Sequence, residues 1–202
     1  MFFSPLRDQK IPENISGLIF GGGYPELNCK ELSENNSMRR SVKDAIRSGM
    51  PCLAECGGFM YLHEEMEDER HIVWEMAGVL NGRTYPAGKL VRFGYVELSH
   101  EKEQKESCYL KQGEVIKGHE FHYWDSSDNG EGLTASEAGS KNVLEMCSYR
   151  RQFVCGVSSF IYAVPVRSLQ SVLQISADCL PKKTKQIRRS REGIICQKTG
   201  KI

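Results

Sequence analysis

The sequence predicts a three-layer α/β sandwich with a mostly parallel central sheet. Two short apolar runs carry this prediction, Gly17–Phe20 and Pro51–Glu55, each leading into glycines and then a helix-like segment. A strand–helix–strand–helix order makes neighbouring strands parallel. The chain has 202 residues, a usual size for one domain and enough for a real core.

The elements follow in order. Ile15 to Phe20 reads as a buried strand running into Gly21-Gly22-Gly23-Tyr24-Pro25-Glu26. Leu27 to Leu32 makes a short helical turn. Asn35-Asn36-Ser37 offers N-cap chemistry for a helix reaching Ser48, with Met38, Val42, Ala45 and Ile46 on one face. Gly49 is its expected stop. Pro51 to Glu55 is the second strand and Gly58 to Glu67 the next helix, with the acidic run Glu64–Glu69 at its solvated end. Ala77–Leu80, Arg92–Leu98 and Val115–Trp124 read as further strands. Alternation puts His119, Phe121 and Tyr123 on one face of the last, and Glu120 and His122 on the other.

Composition removes several function classes. The chain is 40% hydrophobic and 26% charged with a formal net charge of +1, which carries no overall nucleic-acid or membrane footprint. No apolar stretch approaches a membrane span, and the N-terminus lacks a signal-peptide pattern. Eight cysteines show no CxxC pair, and scattered thiols fit a reducing cytoplasm. The acidic run and His119-x-x-His122 do not make a metal site, because neither supplies a converging ligand set. Residues 181–202 carry eight basic residues and one acidic residue, a segment expected to be a disordered tail.

Chemistry concentrates at Cys56. A short apolar run ends there, two glycines follow, and a helix begins, which is how a nucleophile is presented on a sharp strand-to-helix turn. Proximity to a helix N-terminus is expected to favour the thiolate. The N–H of Gly57 and the backbone around Gly22 and Gly23 are the candidate oxyanion donors. Glu55 adjoins the nucleophile, and His119, Glu120 and His122 are expected on a polar, site-lining strand.

Four stretches together carry a family resemblance: GLIFGGGYPEL (Gly17–Leu27), PCLAECGGFMYL (Pro51–Leu62), RFGYVEL (Arg92–Leu98) and GHEFHYWDS (Gly118–Ser126). The chain resembles the glutamine amidotransferase domain of the cobyrinic acid a,c-diamide synthase family. That resemblance implies a class I, triad-type, flavodoxin-like fold. It implies that Cys56 attacks the side-chain amide of glutamine, releasing ammonia. It also implies a partner, an N-terminal ATP-dependent synthetase domain that uses ATP and Mg and carries the tetrapyrrole substrate; no cofactor is expected in the glutaminase domain itself. Relatives of the cobyric acid synthase or sirohydrochlorin diamide synthase type are alternatives, as is an inactive docking domain. A cysteine hydrolase of the same broad fold would share the elbow without needing GGGYPEL.

The sequence departs from the family after Val143, so residues 1–143 are assigned to the amidotransferase domain and 144–202 to an altered C-terminal part. The family places its base histidine near the C-terminus on a stretch resembling AGFPHLY, whereas the histidines here stop at His122. A one-nucleotide shift in Leu144–Tyr162, with permitted codons, yields WKCVHTGDNLFAGFPHLF. A slipped reading frame is therefore expected, with the histidine codon spanning Ser159 and Phe160. The start at Met1 likewise reads as the beginning of an internal segment.

Overall fold

The computed structural model describes residues 1–99, 115–130, 133–137, 143–146, 148–150, 153–156 and 159–160. The tail 181–202 and His100 lie outside the described residues. The first half contains β1 (Leu18–Phe20), a 3-10 turn (Pro25–Asn28), α1 (Cys29–Glu34), α2 (Asn36–Arg47), β2 (Cys52–Glu55) and α3 (Gly57–Leu62). Short strands β3 (Glu65–Glu67), β4 (Val73–Glu75) and β5 (Arg83–Pro86) follow. Then come β6 (Arg92–Ser99), β7 (Val115–His122), β8 (Trp124–Ser126) and β9 (Leu133–Glu137). The last described strands are β10 (Val143–Met146), β11 (Ser148–Arg150), β12 (Phe153–Gly156) and β13 (Ser159–Phe160).

Three sheets result. The first has the order β1-β2-β12-β11, with β2 parallel to both β1 and β12, and β11 antiparallel at the edge. Its centre, β2, is buried along its whole length, as a strand flanked on both sides and covered by helices must be. The second sheet, β10-β9-β6-β7-β13, is antiparallel throughout. The third, β4-β3-β5-β8, is mixed. The α/β class is the expected one, and the parallel pairings sit where the cysteine is delivered.

Local chemistry explains the helices. Asn35 Oδ1 accepts from the Met38 N–H at 3.3 Å and caps α2 as expected. Met38 and Val42 are fully buried, with Ala45 and Ile46 packed against the same core. At the other end Gly49 has φ 95°. Its N–H donates to Ile46 O and the Met50 N–H to Ala45 O, which is a Schellman closure.

Two sequence expectations fail around α3. The helix ends at Leu62 instead of Glu67, and the acidic run enters a strand. His63 turns extended, and Met66 is fully buried between two half-exposed glutamates. That alternation has a strand's period of two. Arg83, opposite Glu65 in register, bonds its carboxylate at 2.7 Å. Ala77–Leu80 is not a strand either. Its N–H groups donate to Tyr61, Leu62 and His63 carbonyls, satisfying the orphan acceptors at the end of α3. The expected strand Val115–Trp124 breaks at Tyr123, where the chain leaves one sheet for another.

His63 fastens these parts. Its ring is fully buried, with Nδ1 2.9 Å from the Phe59 carbonyl and Nε2 2.7 Å from Ser126 Oγ. A carbonyl only accepts, so Nδ1 carries the proton and Nε2 accepts from the serine hydroxyl. The ring thus ties α3 to β8 in its neutral form. Burial holds its pKa below the ordinary 6.5. The folded value lies below the unfolded one, so this stabilisation is present above about pH 6.5 and is lost as pH falls. Urea denaturation between pH 7.5 and 5.5 is expected to show stability falling with acidity, by at most about 1.4 kcal/mol per pH unit from this residue. The decline should be smaller in His63→Gln; parallel declines would refute the assignment.

Candidate active site

Cys56 leaves β2 with φ 49° and ψ −112°. A non-glycine residue in this region is strained, at a cost of about 1–3 kcal/mol. The surroundings hold it there. The Gly58 N–H donates to Gly21 O at 3.1 Å, and the Met60 N–H to Cys56 O at 3.0 Å. A Cβ on Gly58 would lie 2.5 Å from Phe20 Cβ and 2.6 Å from Phe20 O. One on Gly57 would lie 2.8 Å from both Gly23 O and Pro25 Cδ. The two glycines therefore let α3 press against the end of β1 and the glycine loop.

The sulfur meets the expected loop. The N–H groups of Gly57 and Gly23 face it and favour its anion. Gly22 lies alongside, where an added Cβ would be 3.8 Å from Cys56 Cβ. Two of the three predicted donors are thus gathered around one half-buried thiol, with the third beside them.

The expectation of a readily formed thiolate is overturned. Burial raises the Cys56 pKa above the ordinary 9.0. The two N–H groups oppose this, but the charges of Glu26 and Glu55 add to it. α3 has six residues and only its first N–H, that of Gly57, reaches the sulfur, so a helix end does not outweigh desolvation. The other described thiols are more strongly suppressed. Cys52 is pushed up by complete burial, and Cys29 is pushed up to about 12, chiefly by burial.

The other candidate residues divide. Glu55 is buried next to the cysteine and stands opposite Gly156 of β12 in register. His119, Glu120 and His122 lie in the antiparallel sheet and do not share one face. Glu120 and His122 are buried on one side, with Glu120 3.8 Å from Arg92. His122 Nδ1 donates to Trp124 O at 2.7 Å, leaving Nε2 buried without a partner. His119 is on the opposite side, edge-to-face with Phe93 and Tyr95. Among the described residues no imidazole is hydrogen-bonded to Cys56. His63 is committed to Phe59 and Ser126, and His71 to Glu67.

Glu26 is the residue that sequence reasoning missed. It sits in the turn just after Pro25, whose ring packs on Gly57, and it acts electrostatically on Cys56. Its position at the end of GGGYPE was visible, but nothing in the spacing said that the turn would fold back over the elbow.

An α/β domain that presents one cysteine on a glycine-supported elbow has the site architecture of the cysteine enzymes of this broad fold, the class I amidotransferases among them. A family model for the CobB/CobQ-like glutamine amidotransferase domain matches residues 1–151, and the chain belongs to that family. It is 48% identical over 121 residues to a cobyrinate a,c-diamide synthase of Caldanaerobacter subterraneus, covering 60% of this chain and 26% of that protein. It is 41% identical over 120 residues to the Synechococcus enzyme of the same name, covering 59% of this chain and 25% of that one. The chain thus matches about a quarter of the length of these relatives. A crystal structure of a glutamine amidotransferase shares the fold, with TM-score 0.54 and 18% identity over 82% of this chain and 81% of that one.

Site-resolved alkylation of the folded chain by iodoacetamide should modify Cys56 ahead of Cys29 and Cys52. The Cys56 rate should rise with pH through a midpoint above 9.0. A midpoint in the neutral range would contradict the balance of charges described for the site. Gly58→Ala should destabilise the chain by about 1–3 kcal/mol in urea denaturation, because backbone and not a flexible side chain blocks the new methyl. An unchanged unfolding midpoint would contradict the close packing of α3 on Phe20.

Proposed function

We propose that this chain is the glutaminase domain of a cobyrinate a,c-diamide synthase. The observation that carries the reading is Cys56 at φ 49° with the Gly57 and Gly23 N–H groups facing its sulfur. In the proposed reaction the Cys56 thiolate attacks the side-chain carbonyl carbon of glutamine. The carbonyl electron pair moves onto oxygen, where backbone N–H groups at Gly57 and the Gly22–Gly23 loop stabilise it. The C–N bond then breaks, and the leaving nitrogen takes a proton as ammonia. Water hydrolyses the remaining glutamyl thioester, giving glutamate and the free thiol. The ammonia is used by an ATP- and Mg-dependent synthetase domain to amidate carboxylates of a tetrapyrrole. The relatives' names support that partner, as does the match to only about a quarter of their length. The reaction belongs to the cytoplasm, a compartment that the unpaired thiols favour.

A raised thiol pKa makes a base essential, and the described residues offer Cys56 no imidazole. β12 runs parallel beside β2 and brings Gly156 opposite Glu55, one residue short of the nucleophile. In the alternative frame the strand FVCG becomes LFAG, followed by a phenylalanine, a proline and a histidine. We take this to be the displaced base, lost through a one-base slip after Val143. The coding DNA tests this directly: no shift near Val143 that restores an AGFPH-like stretch means no slip. A chain with the frame restored should hydrolyse glutamine about 10²–10⁴-fold faster than the present one, and Cys56→Ala should abolish that gain. A robust rate from the unaltered chain, abolished by Cys56→Ala, would overturn the requirement for the missing histidine.

The lack of an imidazole at Cys56 among the described residues also favours a second reading, a domain that docks without catalysing. Covalent labelling of Cys56 by a glutamine analogue carrying an electrophilic diazoketone separates the two. An active-site fold labels stoichiometrically at alkaline pH, whereas a scaffold does not discriminate the analogue from a simple alkylator.

A further inference from the structure

We propose that the Glu26 carboxylate receives the α-ammonium group of glutamine and so sets the amino-acid specificity of the Cys56 site. The inference deepens the glutaminase reading and rests on it.

The backbone brings Glu26 to the elbow by contact. The Pro25 ring lies where a Cβ on Gly57 would be, 2.8 Å away, and Glu26 is the next residue. The turn Pro25–Asn28 is tied down behind it, because the Cys29 thiol donates to the Glu26 carbonyl at 3.3 Å. Glu26 is half-buried, and no cation forms a salt bridge with it among the described residues. Its electrostatic neighbours are anionic or become so: Glu69 disfavours its charge, and it disfavours the thiolate of Cys56. Its own backbone N–H donates to the carboxylate, and a cation would balance its charge beside a nucleophile that it handicaps.

Glutamine supplies one. Two methylenes separate its reacting amide from the carbon that bears the ammonium. An amide carbon at Sγ thus leaves the ammonium a few ångströms from the elbow, on the scale of the Glu26 turn. Pairing there would satisfy Glu26 and cancel its unfavourable field at the sulfur. The thiolate would form more readily with glutamine bound than in the empty site. Substrates with the side-chain amide but no α-ammonium would gain neither effect.

The test uses the full chain at pH 9 with three reagents: the diazoketone analogue of glutamine, the same compound lacking its α-amino group, and iodoacetamide. Glu26→Gln should slow Cys56 labelling by the amino-acid analogue by roughly 10- to 100-fold, the value of one charge-assisted pair. The desamino analogue should label Glu26→Gln as fast as the unaltered chain, or faster. Iodoacetamide should react with Glu26→Gln as fast as with the unaltered chain, or faster, which also shows that the site has kept its fold. Glu26→Asp should recover part of the selectivity. Equal labelling of Glu26→Gln and the unaltered chain by the amino-acid analogue overturns this assignment alone. An unaltered chain that does not prefer the analogue over its desamino form overturns it too. Complete inertness of Cys56 toward the analogue overturns the glutaminase reading with it.

Discussion

The structure depends on forcing one cysteine into a backbone conformation that only glycine adopts freely. Cys56 sits at φ 49° because everything around it is already fixed. β2 is clamped between β1 and β12, so its last residue cannot slide. α3 starts immediately and is drawn onto Phe20 by the Gly58–Gly21 hydrogen bond. Only the two glycines allow this approach. The strain of about 1–3 kcal/mol at the cysteine is sustained by the buried helix Gly57–Leu62 and by the neutral His63 ring that anchors its end. The same constraint keeps the helix short, since Leu62 must hand its carbonyl to the Val79 and Leu80 N–H groups.

That geometry presents the sulfur without activating it. Two N–H groups face it, yet burial and two carboxylates act against the anion. N–H groups that cannot ionise the resting thiol are still suited to an oxyanion, because the charge to be stabilised then arises beside them during reaction. The resting site is therefore built for the transition state more than for the free nucleophile. In the proposed reaction it is completed by a base that removes the proton and a cation that offsets the carboxylates.

The parts of the fold that rest on local chemistry were legible in the sequence. Asn35 caps α2 through its own side chain, and Gly49 ends it by adopting a backbone angle that few residues tolerate. The elbow was legible for the same reason, as a cysteine followed by two glycines encodes its own backbone. What was hidden depends on partners distant in sequence. Glu65-Met66-Glu67 reads as a helix end until Arg83 and the core on Met66 give it a strand's two faces. Ala77–Leu80 is apolar enough for a strand, but its N–H groups are spent on α3. Glu26 was not singled out because its role depends on where Pro25 packs, and no spacing rule encodes that contact. Among the candidate site residues, the alternation of β7 was read correctly, but which of its faces is buried came only from the sheet.

The position of β12 gives the proposed loss of a base a physical setting. β12 runs parallel beside β2, and its last residue, Gly156, stands opposite Glu55, one residue before Cys56. In the proposed reaction one flank of the nucleophile gives N–H donors and the other a base, so the two halves of the chemistry come from opposite neighbours of one strand. A change beginning after Val143 would leave the elbow, the donors and Glu26 in place, since β1, β2, α3 and the Pro25–Asn28 turn all precede it. This accounts for a chain that holds its nucleophile under strain while the described residues around it provide no base.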